Sequence, residues 1–300
     1  MKNFNDIYEK VYKECNEELE ILRKERRNKV IIVAVVVIII GFVISKFFYR
    51  YYRYYNTYIF LFSICIVFIY ASKSKKGSRY NLIFKEKVIK TLVKEYSSKL
   101  TFENNRGIAP ITYSQAEFER FDKYESEDLI SGTLEGGYII NIGEVKTQRV
   151  TRDQDGDRTT ETLFHGLFAN VKLDKILRAS IKIRKNGITL FKGQEKLEMD
   201  SGEFERKFNV YTTDKIVAMQ LLTADVMQML LDFKERNNIT PEITIKRNNL
   251  YIRFSTGEVF EGTLMKSALD YSTLKKYFDI INFTLNLIEC FSKNISEAEI

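Results

Sequence analysis

Tryptophan is absent from this 300-residue sequence, which holds only two prolines, three cysteines and one histidine. So few prolines predict long, uninterrupted elements rather than a loop-rich scaffold. The cysteines, Cys15, Cys65 and Cys290, stand far apart, and Cys65 falls inside an apolar run. Their spacing suits neither a disulfide framework nor a zinc site, and it fits a reducing compartment. A single histidine, His165, excludes a His-rich metal centre and leaves a Ser-His-Asp triad one residue to use. No motif implies a cofactor.

What is present is apolar and aromatic. Hydrophobic residues make up 45% of the chain, ordinary for a folded protein, with 22 Phe and 18 Tyr. The net charge of +7 is unevenly spread. Residues 1–100 carry 20 Lys and Arg against 9 Asp and Glu, whereas residues 101–300 carry 27 against 31. A nucleic-acid binder wants its positive charge on the folded domain, so nucleic acid is excluded as the expected partner. The basic excess flanks the apolar segments, where an anionic membrane surface is the simpler partner.

Two uncharged runs carry the strongest signal. Val30–Ser45 reads VIIVAVVVIIIGFVIS and Tyr55–Ala71 reads YNTYIFLFSICIVFIYA. Both approach the length of a membrane span, and backbone in lipid must be helical. Between them lie Phe47, Phe48, Tyr49, Tyr51, Tyr52, Tyr54 and Tyr55, aromatics of the kind that settle at the membrane–water interface. The long charged segment before the first run, with no small-residue cleavage site after it, does not fit a signal peptide. Arg23, Lys24, Arg26, Arg27 and Lys29 precede the first run, and Lys73, Lys75, Lys76 and Arg79 follow the second. The connecting loop has only Lys46, Arg50 and Arg53, so the positive-inside rule predicts a multi-pass cell-membrane protein with both termini cytoplasmic.

Apolar stripes at helical spacing occupy residues 4–22 and 81–100, outside the two runs, and predict helices that pair or pack on the folded domain. Strands are predicted at Leu129–Leu134, Tyr138–Thr151, Thr159–Val171, Ala179–Arg184 and Phe204–Val210. A helix is expected over Thr213–Arg236, with Ile216, Met219, Leu222, Val226, Leu230 and Phe233 on its buried face. Strands at Glu242–Lys246, Leu250–Ser255 and Val259–Leu264 follow, with a turn at Asn248-Asn249, then a helix over Tyr271–Ser292. The fold class is α+β: an N-terminal transmembrane helical hairpin, then a mainly antiparallel sheet with covering helices. The expected divisions are a cytoplasmic helix to residue 29, the hairpin at 30–72, a basic juxtamembrane segment and helix at 73–100, and a cytoplasmic domain at 101–300.

The stretch Phe121–Gly132 (FDKYESEDLISG), the strand Leu163-Phe164-His165-Gly166-Leu167-Phe168, the block around Phe204–Tyr211 and Leu250-Tyr251-Ile252 with Phe260-Glu261 resemble a bacterial family, domain of unknown function 3137. The resemblance implies two spans followed by a cytoplasmic domain, and brings no activity, cofactor or catalytic residue.

Sharper chemistry finds little support. Asp153, Asp155 and Asp157 lack calcium-loop spacing, with Gly156 fourth and Glu161 ninth, so a solvated hairpin turn is expected. His165 reads as structural rather than as a proton carrier, and Glu125, Glu127 and Asp128 as solvated or capping carboxylates. The sequence therefore predicts a non-enzymatic, membrane-anchored module that binds a protein partner or lipid headgroups. The nine cations flanking the spans, from Arg23 to Arg79, touch the headgroups. The alternative is a membrane enzyme acting on a lipid or envelope substrate. A homo-oligomer is left open.

Overall fold

The computed structural model describes residues 3–48, 62–67, 70, 78–134, 137–153, 156–187, 191 and 193–297. The chain divides into two compact units: Lys2–Leu92 with Glu261–Leu274, and Val93–Phe260 with Lys275–Ile300.

The first unit is helical. Helix α1 (Phe4–Phe48) runs unbroken for 45 residues, because no proline interrupts it. Its expected stripe of Phe4, Ile7, Val11, Cys15 and Leu19 is buried, while Tyr12 is exposed. The apolar run further on is bare, with Ile32 at 61% and Phe42 at 60% exposure. Among the described residues α1 is the one unbroken helix long and apolar enough to cross a membrane. Of the second run, residues 62–67 are helical. Ser63 lies so close to α1 that a Cβ on Gly41 would fall 2.4 Å from its Oγ. Helix α2 (Arg79–Ile83) opens where Ser78 Oγ accepts from Asn81 N at 3.3 Å. A π-helical turn, Phe84–Ile89, follows and leads into α3 (Lys90–Tyr96). Its widened turn puts Phe84, Lys85, Val88 and Ile89 all in buried positions.

The second unit is an antiparallel sheet with helices. In chain order it holds β1 (Leu100–Glu103), α4 (Pro110–Gln115), β2 (Lys123–Thr133), β3 (Ile139–Arg152) and β4 (Arg158–Lys185). Then come β5 (Glu195–Leu197), α5 (Gly202–Lys207), β6 (Phe208–Thr212), α6 (Lys215–Leu221), α7 (Ala224–Asn237), β7 (Pro241–Phe254) and α8 (Tyr271–Glu297). The strand order is β1-β2-β3-β4-β6-β5, and β7 pairs with β4. The 28-residue β4 is the spine: its first half pairs with β3 and its last five residues with β6, while β7 accompanies both halves. One sheet face is packed with rings, Phe233 stacking on Phe283 at 4.0 Å and Phe254 edge-on to Phe283 at 6.0 Å. The other face carries an aromatic cluster of Tyr113, Phe164, Phe168 and Tyr251, with Phe118, Phe121 and Tyr124 against it.

Several expected elements are different in the structure, each for a local reason. Phe204–Val210 is not one strand: Ser201 caps α5 by accepting from Phe204 N at 3.2 Å, and the strand begins only at Phe208. The helix expected over Thr213–Arg236 breaks at Leu222-Thr223 with a 66° bend. Asn294 Nδ2 donates to the freed Leu221 carbonyl at 3.0 Å. The break resets the helical phase, so Ile216 and Met219, expected in the core, are exposed. Asn248-Asn249 is no turn, since β7 runs through it. Arg247, at φ +55°, absorbs the irregularity opposite Leu177. Val259–Leu264 is no strand. Val259 N donates to the Glu144 carboxylate and Phe260 takes φ +56°, which withdraws this backbone from any ladder. The Asp153–Asp157 hairpin turn does form: Asp153 N donates to Asp157 O at 3.1 Å, and Gly156 supplies φ +87°.

Candidate functional site

Three polar constellations stand out against the apolar frame. The first lies midway along α1, before its apolar run. Glu20 binds Arg23 Nη2 at 2.7 Å and accepts from Ala268 N at 2.6 Å. Arg23 Nη1 donates to Leu264 O at 3.0 Å. Burial alone would raise the Glu20 carboxyl, but the Arg23 guanidinium and the Ala268 amide outweigh it and hold the pKa below the usual range. Beside it Glu261, buried, takes Lys85 Nζ at 2.9 Å and the Asn81 amide on its second oxygen. Tyr80 Oη donates to Thr263 O at 3.0 Å, and burial pushes its phenol far above its ordinary value. Charge here is spent on holding the 261–270 segment to the helices.

The second constellation lies on the aromatic face of the sheet. Arg253 is its hub, with Nη2 2.6 Å from Glu242, Nη1 donating to Tyr113 Oη at 2.9 Å, and Glu119 also paired to it. Glu119 accepts from Tyr113 Oη at 2.6 Å and from Thr147 Oγ1 at 2.9 Å. Burial works against the Arg253 charge, but Glu242, Tyr113 and Glu119 overcome it and raise its pKa. Arg184 lies close by, buried, bonded to the Ile183 and Ile243 carbonyls and to Thr244 Oγ1 at 2.8 Å. Its guanidinium sits 4.5 Å from the Phe118 ring centre, and burial lowers its pKa to about 10. Glu117, at φ +54° just past α4, bridges Lys182 at 3.0 Å and Lys246. The Lys246 and Lys182 ammonium groups depress its carboxyl against the opposing effect of burial. A depression of about 350 Å³ opens beside it, between Gln115, Lys246, Arg247 and Asn248. The network is nearly charge-balanced and uses its own donors and acceptors internally, which suits a rigid surface better than a reaction centre.

The third is a dyad. Glu144, buried, accepts from Val259 N at 2.8 Å with one oxygen and meets His165 Nε2 at 2.8 Å with the other. The carboxylate orients the imidazole, as in proton-transfer sites. Among the described residues no hydroxyl or thiol is bonded to His165. Asp128, expected as solvated or capping, is fully buried at φ +60° in a bulge of β2.

The cations predicted to meet headgroups divide. Arg23 and Arg26 are buried, Arg27 is half-buried, and Lys24, Lys29 and Arg79 are exposed. Lys73, Lys75 and Lys76 lie outside the described residues, as do Tyr49, Tyr51, Tyr52, Tyr54, Tyr55 and Asp155. Phe47 and Phe48 end α1, and their side chains are also outside the description. Glu119, Glu117 and Arg253 leave no mark in the sequence, because the 116–122 connection has no periodicity and its partners come from α4, β3, β4 and β7. The one local signal was the aromatic density of Phe118, Phe121 and Tyr124.

The structure thus defines a class: a long N-terminal apolar helix joined to an α+β fold with an antiparallel sheet. Residues 162–293 match the family model described as "Protein of unknown function (DUF3137)", which supports a domain-of-unknown-function family. The match takes in the Leu163–Phe168 strand and the later blocks, and the Phe121–Gly132 stretch lies outside it. Among solved structures, that of the mycobacterial trehalose monomycolate transport factor A, TtfA, is similar at 8% identity with a TM-score of 0.36. The similarity covers 68% of this chain and 94% of that one. No curated protein matches.

Proposed function

We propose that this chain is a membrane-anchored module whose folded units are held at the cytoplasmic face, where they bind lipid headgroups or a protein partner. The carrying observation is the bare apolar stretch of α1. From Ile31 to Ile44 ten large hydrophobic side chains are exposed. At about 1.5–3 kcal/mol each, leaving them in water would cost on the order of 15–30 kcal/mol, more than a typical domain's whole stability. A bilayer removes that cost. The N-terminal half of α1 carries part of the helical unit's buried core, which fits an anchor that is kept rather than cleaved. The close approach of Gly41 to Ser63 supports the second run returning beside the first as a hairpin. The positive-inside bias then sets both termini in the cytoplasm. Lys24, Lys29 and Arg79, exposed at the foot of the spans, are the headgroup contacts, with Arg27, Lys73, Lys75 and Lys76 beside them in sequence.

Full-length protein is expected to stay with membranes through alkaline carbonate, and release into the supernatant would overturn the anchor. A cysteine placed at Asn56 should react with an impermeant thiol reagent in intact cells. Protection there, while an exterior control labels, would reverse the orientation. A second reading, a membrane enzyme acting on a lipid or envelope substrate, rests on the Glu144–His165 dyad.

A further inference from the structure

The segment Glu261–Leu274 runs up and back along the helical unit, and its bonds give a register. Tyr80 holds Thr263, and Arg23 holds Leu264. The chain then reverses, closed by Thr263 Oγ1 donating to Ser267 O at 2.9 Å. On the return Ala268 N meets Glu20, Leu269 O accepts from Tyr8 Oη at 3.0 Å, and Tyr271 Oη donates to Asn5 at 2.8 Å. The partners on α1 therefore descend through 23, 20, 8 and 5 as the segment advances from 264 to 271. The reversal sits at the end of this register nearest the apolar run.

Arg23 precedes Val30 by seven residues, about 10 Å at 1.5 Å per residue. A headgroup layer is about 5–8 Å deep on each side of the hydrocarbon, so a side chain at the reversal is within reach of it. Met265 occupies the reversal and is 89% exposed. Its neighbour Lys266 is turned to Asp270, 3.1 Å away, and to Ser272. Lys24, Lys29 and Arg79 are exposed on the helices at this end. An unbranched thioether held at a loop tip near exposed cations has the chemistry of an interfacial anchor.

We propose that Met265 is a membrane-inserting tip, pressed into the headgroup region of an anionic bilayer by the Arg23–Leu264 and Glu20–Ala268 bonds. The site rests on the anchored reading above. It gives the helical unit a third point of contact with the bilayer, apart from the two apolar runs, and so sets its tilt.

The test uses the full chain with its three cysteines replaced by alanine and an environment-sensitive fluorophore on a single new cysteine. The positions are Met265→Cys, Phe42→Cys or Glu9→Cys. The protein is reconstituted in vesicles of phosphatidylcholine with a minority of phosphatidylglycerol, carrying nitroxide lipids labelled either at the headgroup or deep in the acyl chain. The deep label should quench the probe at Phe42. The headgroup label should quench the probe at Met265 several-fold more than at Glu9, which lies far down α1. Quenching at Phe42 with Met265 no different from Glu9 would overturn the tip and leave the anchor standing. No quenching at Phe42 would overturn the anchor and the tip together.

Discussion

Arg23 Nη1 donates to the carbonyl of Leu264 across 241 residues of sequence. The same guanidinium holds Glu20, so one buried arginine clamps the 261–270 segment to α1 just before its apolar run. Arg23, one of the cations that flank the apolar runs, thus bonds to the protein's own backbone.

Replacing Arg23 by Met keeps much of the side-chain volume and removes the donors. Losing charge-assisted bonds of this kind costs about 1.5–3 kcal/mol locally. Hydrogen exchange across 261–270 should quicken by about tenfold or more, given roughly 1.4 kcal/mol per tenfold. Protection equal to wild type would show that the clamp contributes nothing.

The same segment should loosen in acid. Glu20 is held below its ordinary pKa by Arg23 and the Ala268 amide, against burial. Asp270 is held far below its own by Ser272, Thr273 and Lys266, again against burial. A carboxyl lowered on folding stabilises fully above its unfolded value of about 4 and loses that stabilisation as pH falls through the folded value. Exchange protection of the 261–274 segment should thus be flat above about pH 5 and decline below about pH 4. A decline that begins near neutrality would point to other groups.

Arg253 closes the sheet-face network. Changing it to Met leaves the half-buried Glu119 and Glu242 without their shared cation, and losing hydrogen bonds between charged groups costs about 1.5–3 kcal/mol. Lysine restores the charge but not the fork that reaches both carboxylates and the Tyr113 hydroxyl, so Arg253→Lys should recover only part. Chemical unfolding in mild detergent measures both. Full stability in the lysine variant would mean that charge alone matters at this hub.

Gly166, inside the strand motif Leu163–Phe168, has a backbone reason. A Cβ there would fall 2.0 Å from the Phe254 carbonyl oxygen and 2.7 Å from Thr256 N. Since Gly257 N donates to His165 O at 3.0 Å in the same place, Gly166→Ala should push β7 off β4 and loosen the Glu144–His165 contact. Lower thermal stability with broadened His165 ring resonances is expected. An unperturbed His165 signal would contradict that packing.

Local patterning is enough for the apolar run at residues 30–45, the stripes at residues 4–22 and 81–100, the antiparallel sheet, the Asp153–Asp157 turn and the closing helix, while the fusion of the first stripe and the apolar run into one helix is not marked in it. Each rests on periodicity or composition within a few neighbouring residues, where 3.6-residue and two-residue patterns leave a direct mark. Tertiary structure decided the rest, because the deciding partners are far away in the chain. Asn294 holds the break after Leu221, the Glu144 carboxylate takes the Val259 amide out of any strand, and Arg253 draws Glu119 and Glu242 together. Arg23 shows the division most plainly. Its place before an apolar run marks it as a membrane cation, and only the folded chain brings the Leu264 carbonyl to its guanidinium.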